Sequence, residues 1–113
     1  MGHPKTSIHP PSRNFTAELF KSLAHPARIA IVQYLVSHKV GNGLELREQT
    51  QLSQQSFAQH IRMMTRSELV KTKYVGQRLN YYLNQDHLIF VNTQLGIWNL
   101  KFKGGSPLSD DSL

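Results

Sequence analysis

Apolar residues recur at helical spacing from Phe15 onward. Phe15, Leu19 and Leu23 stand four apart, which predicts a short amphipathic helix over 15–23 with Asn14 or Thr16 as its cap. Pro26 marks a break. Proline is tolerated at the first helical position, so a second helix is expected to begin there and run through Ile29, Val32, Tyr34, Leu35 and Val36 to His38. Residues 39–43 read as a loop, and 44–50 as a helix of barely two turns. A longer helix follows at 54–67, with Phe57, Ile61 and Met64 as its buried stripe and Ser53 as its N-cap. Leu52 and Phe57 take the positions of a hydrophobic staple, which sets the angle of entry into that helix.

After Ser67 the period changes to two. Residues 69–75 and 78–83 are rich in β-branched and aromatic side chains and are separated by Gly76-Gln77, the pattern of a hairpin. Leu79, Tyr81 and Leu83 are expected to face the core, with Arg78, Asn80 and Tyr82 facing out. Asn84 then caps a last helix to about Lys103, with Leu83 and Leu88 as its staple and Asp86 in the first turn, where the helix dipole favours an acid. Along it Leu88, Val91, Leu95, Trp98 and Phe102 form a seam suited to packing along another helix, and Ile89, Phe90, Ile97 and Leu100 add a second apolar side. So much apolar circumference needs more cover than one small domain supplies, which points to a partner subunit.

The expected fold is mainly α with a small β-hairpin. It occupies 14–103, between a tail at 1–13 containing Pro4, Pro10 and Pro11 and a Gly- and Ser-containing tail at 104–113. A chain of 113 residues is the size of one domain. It has no cysteine, which excludes disulfide scaffolds, thiolate metal sites and cysteine nucleophiles. No apolar run approaches a membrane span, so the expectation is a soluble cytoplasmic protein with no membrane partner.

Charge sharpens the picture. The net charge is +6, an excess that favours an anionic partner, and its distribution is uneven. Between residues 47 and 78 stand Arg47, Arg62, Arg66, Lys71, Lys73 and Arg78 against Glu48 and Glu68, so four of the six net charges fall there. That stretch holds the short helix, the turn and the capped polar helix, which together make the helix-turn-helix pattern. Gln54, Gln55, Ser56, Gln59 and His60 are the candidate base-contacting residues, glutamine being able to pair with adenine through two hydrogen bonds. Arg62 and Arg66, with Lys71, Lys73 and Arg78 on the hairpin, are candidates for the phosphate backbone. Against an enzyme, no phosphate-cradling glycine loop stands in the right context and the carboxylates are scattered.

The residues also resemble a family. Leu19-Phe20-Lys21-Ser22-Leu23-Ala24-His25-Pro26-Ala27-Arg28 is similar to the opening LFKALGDPTR segment of the ArsR/SmtB-like bacterial repressors. Leu52-Ser53-Gln54-Gln55-Ser56-Phe57-Ala58-Gln59-His60-Ile61 resembles their recognition-helix segment, and Leu69-Val70 with Gly76-Gln77-Arg78-Leu79-Asn80-Tyr81 resembles their wing. The resemblance spans Phe15 to Phe102. It implies a winged helix-turn-helix regulator, a homodimer joined through its first and last helices at Phe15, Leu19, Leu88, Val91, Leu95, Trp98 and Phe102. The operator would be double-stranded DNA, with each 54–67 helix in the major groove and each 69–83 wing on the flanking backbone or minor groove. The alternative is a winged-helix interaction or dimerisation module that has lost specific DNA binding.

Three departures stand out. Gln51 and Glu68 occupy positions where family members often carry glycine, and if positive φ is needed there a side chain costs about 1 kcal/mol. Gln59 replaces a common arginine, removing a guanine reader. Relatives sense metals through a Cys-x-Cys pair that this chain lacks, or through Asp, His and Glu on the last helix. Here Asp86 and His87 are adjacent and point about 100° apart, so neither metal nor cofactor is expected. Any effector would be a small molecule or a protein, with no identity legible in the sequence. His25 reads as a turn residue and His3 and His9 as tail residues.

Overall fold

Proline at a first helical turn loses no hydrogen bond, because the N–H it lacks would have no partner there. Helix α1 (Pro11–Lys21) uses this and starts four residues ahead of Phe15. Asn14 and Thr16 are therefore inside it and not caps; the Thr16 hydroxyl donates back to the Ser12 carbonyl at 2.9 Å. The computed structural model describes residues 11–103, so 11–13 belong to a helix, while the tails expected at 1–10 and 104–113 lie outside the described residues.

Helix α2 (Pro26–His38) has the expected bounds, but its buried positions are Ala27, Ile31 and Leu35, spaced four apart, while Ile29 and Val36 are exposed. His25 is its N-cap, with Nδ1 accepting the Ala27 N–H at 3.0 Å. The stretch expected as a loop over 39–43 is more ordered than that. Gly41–Asn42 forms a short strand, β1, pairing Gly41 with Tyr81 and Asn42 with Asn80. Glycine is needed at 41 because a Cβ would lie 2.9 Å from the Tyr34 ring. Asn42 then opens α3 (Gly43–Thr50) with a capping box: its side chain accepts the Glu45 N–H, and the Glu45 carboxylate accepts the Asn42 N–H, both at 2.9 Å.

Helix α4 (Gln54–Arg66) begins on the expected cap, the Ser53 hydroxyl accepting the Ser56 N–H at 3.2 Å, and buries Phe57, Ile61 and Met64. Strands β2 (Val70–Val75) and β3 (Arg78–Leu83) follow as an antiparallel hairpin in a sheet ordered β1-β3-β2. Gly76, at φ 65°, takes the first central position of the turn, as a type II′ connection requires. Tyr81 and Leu83 pack against the core as expected. Leu79 does not, because it pairs with Tyr74 at a wing tip that projects past the core. Asn80 and Tyr82, expected outside, are half-buried, since β1 pairs at Asn80 and Tyr82 lies beside Leu35 and Leu88.

Helix α5 (Gln85–Lys101) is capped by Asn84, whose Oδ1 accepts the His87 N–H at 3.3 Å. The core unites Leu19, Ile31, Leu35, Leu46, the α4 stripe, Leu69, Val70 and Val91, so every helix contributes to one cluster. Buried Ser22, at the end of α1, is hydrogen bonded to Ser67, the C-cap of α4, and so fixes that helix end without an orphaned hydroxyl. Among the described residues no helix is long and apolar enough to cross a membrane.

Candidate nucleic-acid interface

An α-helix turns about 100° per residue, so the buried stripe of α4 decides what its other positions can reach. Measured from Phe57, Ile61 and Met64, the positions of Gln55, Gln59, Arg62 and Arg66 fall within about 50° of the opposite direction, and all four are exposed. Two amides near the amino end and two guanidinium groups farther along thus form one outward stripe. Amides can exchange paired hydrogen bonds with a base edge, and the arginines supply charge for phosphates.

The other three candidates on this helix lie off that line. Gln54 is exposed but turned toward α3, its Oε1 accepting from Arg47 Nη1 at 3.2 Å. The same guanidinium donates through Nε to the Leu52 carbonyl at 3.2 Å, so Arg47 braces the turn between α3 and α4. Ser56 is half-buried beside its cap. His60 is half-buried on the opposite flank, where Nδ1 accepts from Arg28 Nε at 3.1 Å and the ring lies 4.2 Å from that of His25. Burial, then the neighbouring His25 and Arg28, lower its pKa from the usual 6.5. It is a neutral ring held against α2.

The wing supplies a second basic surface. Register pairs Lys71 with Tyr82, Lys73 with Asn80 and Val75 with Arg78, which puts Lys71, Lys73 and Arg78 on one face of the hairpin, all exposed. At its other face the Tyr81 ring reaches under α4 beside Phe57 and Ile61, and burial raises its phenol pKa. The hairpin is therefore anchored against the buried side of α4.

Both positions where glycine was missing adopt the left-handed region: Gln51, the C-cap of α3, has φ 58°, and Glu68, just after α4, has φ 65°. The turn keeps its geometry despite the side chains. Sequence reasoning did not find Arg28, Arg47 or the role of His25. The only signal was the three-residue spacing of His25 and Arg28, and its meaning depends on His60, distant in the chain.

The residues expected at a subunit contact separate into two groups. Leu19 and Val91 are closed inside this chain's own core, at 0% and 7% exposure, leaving no surface for a partner. Leu88 packs on that core, and Phe15 meets Phe90 and His87 edge-on, with ring centroids 4.8 and 5.0 Å away. Leu95, Trp98 and Phe102 remain exposed, with Ile89, Ile97 and Leu100, and Phe20 stacks on one side of Trp98 at 5.9 Å. Among the described residues no three His, Cys, Asp or Glu side chains gather as a metal site would need.

Comparison with known proteins places the chain among regulators. It is 30% identical over 86 residues to the arsenical resistance operon repressor of Staphylococcus xylosus, covering 76% of this chain and 82% of that protein. It is 35% identical over 68 residues to the transcriptional repressor PagR of Bacillus anthracis, 60% of this chain and 68% of PagR. The PagR crystal structure superposes with a TM-score of 0.61 over 78% of this chain and 97% of that one. A homodimeric winged helix-turn-helix DNA-binding domain of Mycobacterium bovis, a possible ArsR-family regulator, shares the fold at 17% identity, with a TM-score of 0.63 over 93% of this chain and 97% of that one. No family model matches the chain.

Proposed function

The chain belongs to the ArsR family of winged helix-turn-helix transcriptional regulators and is a DNA-binding repressor, and from that premise we propose how it engages its operator. Two copies join through the apolar side of α5 beside α1, as the homodimeric Mycobacterium bovis domain makes reasonable. Each then lays the outward stripe of α4 in a major groove. Gln55 and Gln59 read base edges, Arg62 and Arg66 neutralise phosphates, and Lys71, Lys73 and Arg78 follow the flanking backbone or minor groove. Gln54 and Ser56 support the amino end of the helix. The protein acts in the cytoplasm on double-stranded DNA.

The observation that carries this reading is the alignment of two exposed glutamines and two arginines directly opposite the buried stripe of α4, in a chain whose hairpin carries Lys71, Lys73 and Arg78 on one exposed face. Selection of bound duplexes from a random pool tests it. The expected product is an inverted repeat with half-sites about 34–36 Å apart, the spacing of successive major grooves on one face. Affinity should fall steeply with salt as phosphate contacts release counterions. A pool that stays random after repeated rounds overturns the reading and leaves a module that dimerises without an operator.

A further inference from the structure

His25, Arg28 and His60 converge at the border between α2 and α4, off the stripe assigned to the bases. Their hydrogen bonds determine which ring nitrogens carry protons. His25 Nδ1 accepts the Ala27 N–H at 3.0 Å, and His60 Nδ1 accepts Arg28 Nε–H at 3.1 Å. An imidazole that accepts at Nδ1 while neutral carries its hydrogen on Nε2. Both rings therefore present an Nε2–H donor, and with centroids 4.2 Å apart the two donors belong to one cluster.

Arg28 adds a permanent charge. Its Nε serves His60 and its Nη1 serves the Lys21 carbonyl at the end of α1, so the guanidinium is held in place instead of ranging through solvent. Two N–H donors beside a fixed cation suit an anion. A metal cation fits poorly, because the guanidinium repels it and both Nδ1 lone pairs are already committed. The location identifies the anion: His60 stands one turn beyond Ser56 and adjacent to Gln59, so the cluster borders the stripe assigned to the bases.

We propose that His25, Arg28 and His60 form a phosphate-binding station that holds one backbone phosphodiester of the operator beside each α4 footprint. This rests on the DNA-binding role proposed above and adds to it contacts from α2. His60 thus positions and donates to a phosphate and does not read a base. The lowered pKa of its ring is consistent, since burial and nearby positive charge keep it a neutral donor until an anion arrives.

The test uses the full chain and the selected operator, with single backbone phosphates replaced in turn by uncharged methylphosphonates. Wild-type protein should lose about tenfold in affinity at one phosphate per half-site that His25→Asn and Arg28→Gln proteins no longer sense. Asparagine keeps an acceptor for the α2 cap, so His25→Asn separates the ring donor from the structural role. Arg28→Gln should weaken operator and random duplex by the same factor and lower the slope of log affinity against log salt by about 0.9 per site, while Arg28→Lys restores the slope. Coincident methylphosphonate profiles for wild type and both variants overturn the station while leaving operator binding intact. A wild-type chain that binds no duplex overturns both readings. Saturation of the cluster by inorganic phosphate with no effect on duplex affinity overturns its assignment to the DNA backbone.

Discussion

Helices α4 and α5 start alike and end up facing different solvents. Each opens on a polar N-cap, Ser53 or Asn84, and each has an apolar pair in staple positions, Leu52 with Phe57 and Leu83 with Leu88. Beyond the first turn they diverge. The apolar residues Phe57, Ile61 and Met64 of α4 are all closed in this chain's core, and what remains outside is amide and guanidinium. Of the α5 apolar residues only Val91 is fully buried, while Trp98, Leu100 and Phe102 are 50%, 71% and 63% exposed. Helix α1 covers one side of α5 through Phe15 and Phe20, and among the described residues no other helix packs along it as extensively. The same capping chemistry therefore produces a polar surface suited to nucleic acid and an apolar one suited to a second copy. The difference lies in how much cover the rest of the chain provides.

Damage to the apolar side of either helix should have the largest effect. Phe57→Ala should destabilise the protomer by about 3–5 kcal/mol, as removal of a buried aromatic does, measured as a fall in the urea midpoint. Leu100→Glu should leave the protomer fold unchanged by circular dichroism but shift sedimentation equilibrium toward monomer. Burial of a leucine side chain contributes about 1.5–3 kcal/mol, and a two-fold contact loses it from both subunits, so dimer affinity should drop at least about a hundredfold. If Leu100→Glu lowers the urea midpoint of the protomer while leaving dimer affinity unchanged, α5 is an internal helix and the contrast with α4 is lost.

How much of this was legible in the sequence follows from the range of the interactions. Helices α2, α3 and α4, the hairpin and the caps at Ser53 and Asn84 depend on periodicity and on residues within a turn of one another, and all could be read. The β1 strand could not, because Gly41 and Asn42 become a strand only when β3 arrives from forty residues later. Residues 11–13 of α1 escaped because Pro11 groups with Pro4 and Pro10 as tail composition, although proline also fits a first helical turn. Of the DNA-facing residues, Gln55, Gln59, Arg62 and Arg66 follow from helical geometry once the buried stripe is known. Gln54 and His60 pass the same compositional test, yet Arg47 and Arg28 hold them to the flanks, and those pairings cross between elements. In α5 the seam was legible, but Leu19 and Val91 belong to the inner core because the share of a helix that its own domain covers is a tertiary quantity.

A smaller effect is expected at the two residues that flank α4 with positive φ. Gln51 and Glu68 hold positive φ just before and just after α4, and among the described residues α5 has no such residue at either end. Left-handed backbone costs a residue with a Cβ more than it costs glycine, and the flexibility glycine adds to the unfolded chain offsets part of the gain. Gln51→Gly and Glu68→Gly should each stabilise the chain by up to about 1 kcal/mol in urea unfolding, and together by nearly the sum, since they sit at opposite ends of the helix. Destabilisation by either would mean that its side chain contributes more than its backbone strain removes.

The smallest effect concerns the flank of α4 that α5 does not share. His60 faces His25 and Arg28 from α2, and Arg28 is in turn held by the Lys21 carbonyl of α1. Burial first, and then those two neighbours, lower the folded-state pKa below 6.5, so the unfolded chain binds a proton more readily than the folded one. Stability then rises with pH across that window: the contribution is present above 6.5 and is lost as pH falls through 6.5 toward the lower folded value. Urea midpoints measured from about pH 8 down to about pH 5 should decline for the wild type, and decline less for His60→Gln, whose amide oxygen can still accept from Arg28 but does not titrate. An identical decline in both proteins would move the pH dependence to other histidines. It would also show that His60, unlike the buried side of the same helix, is not energetically coupled to the fold.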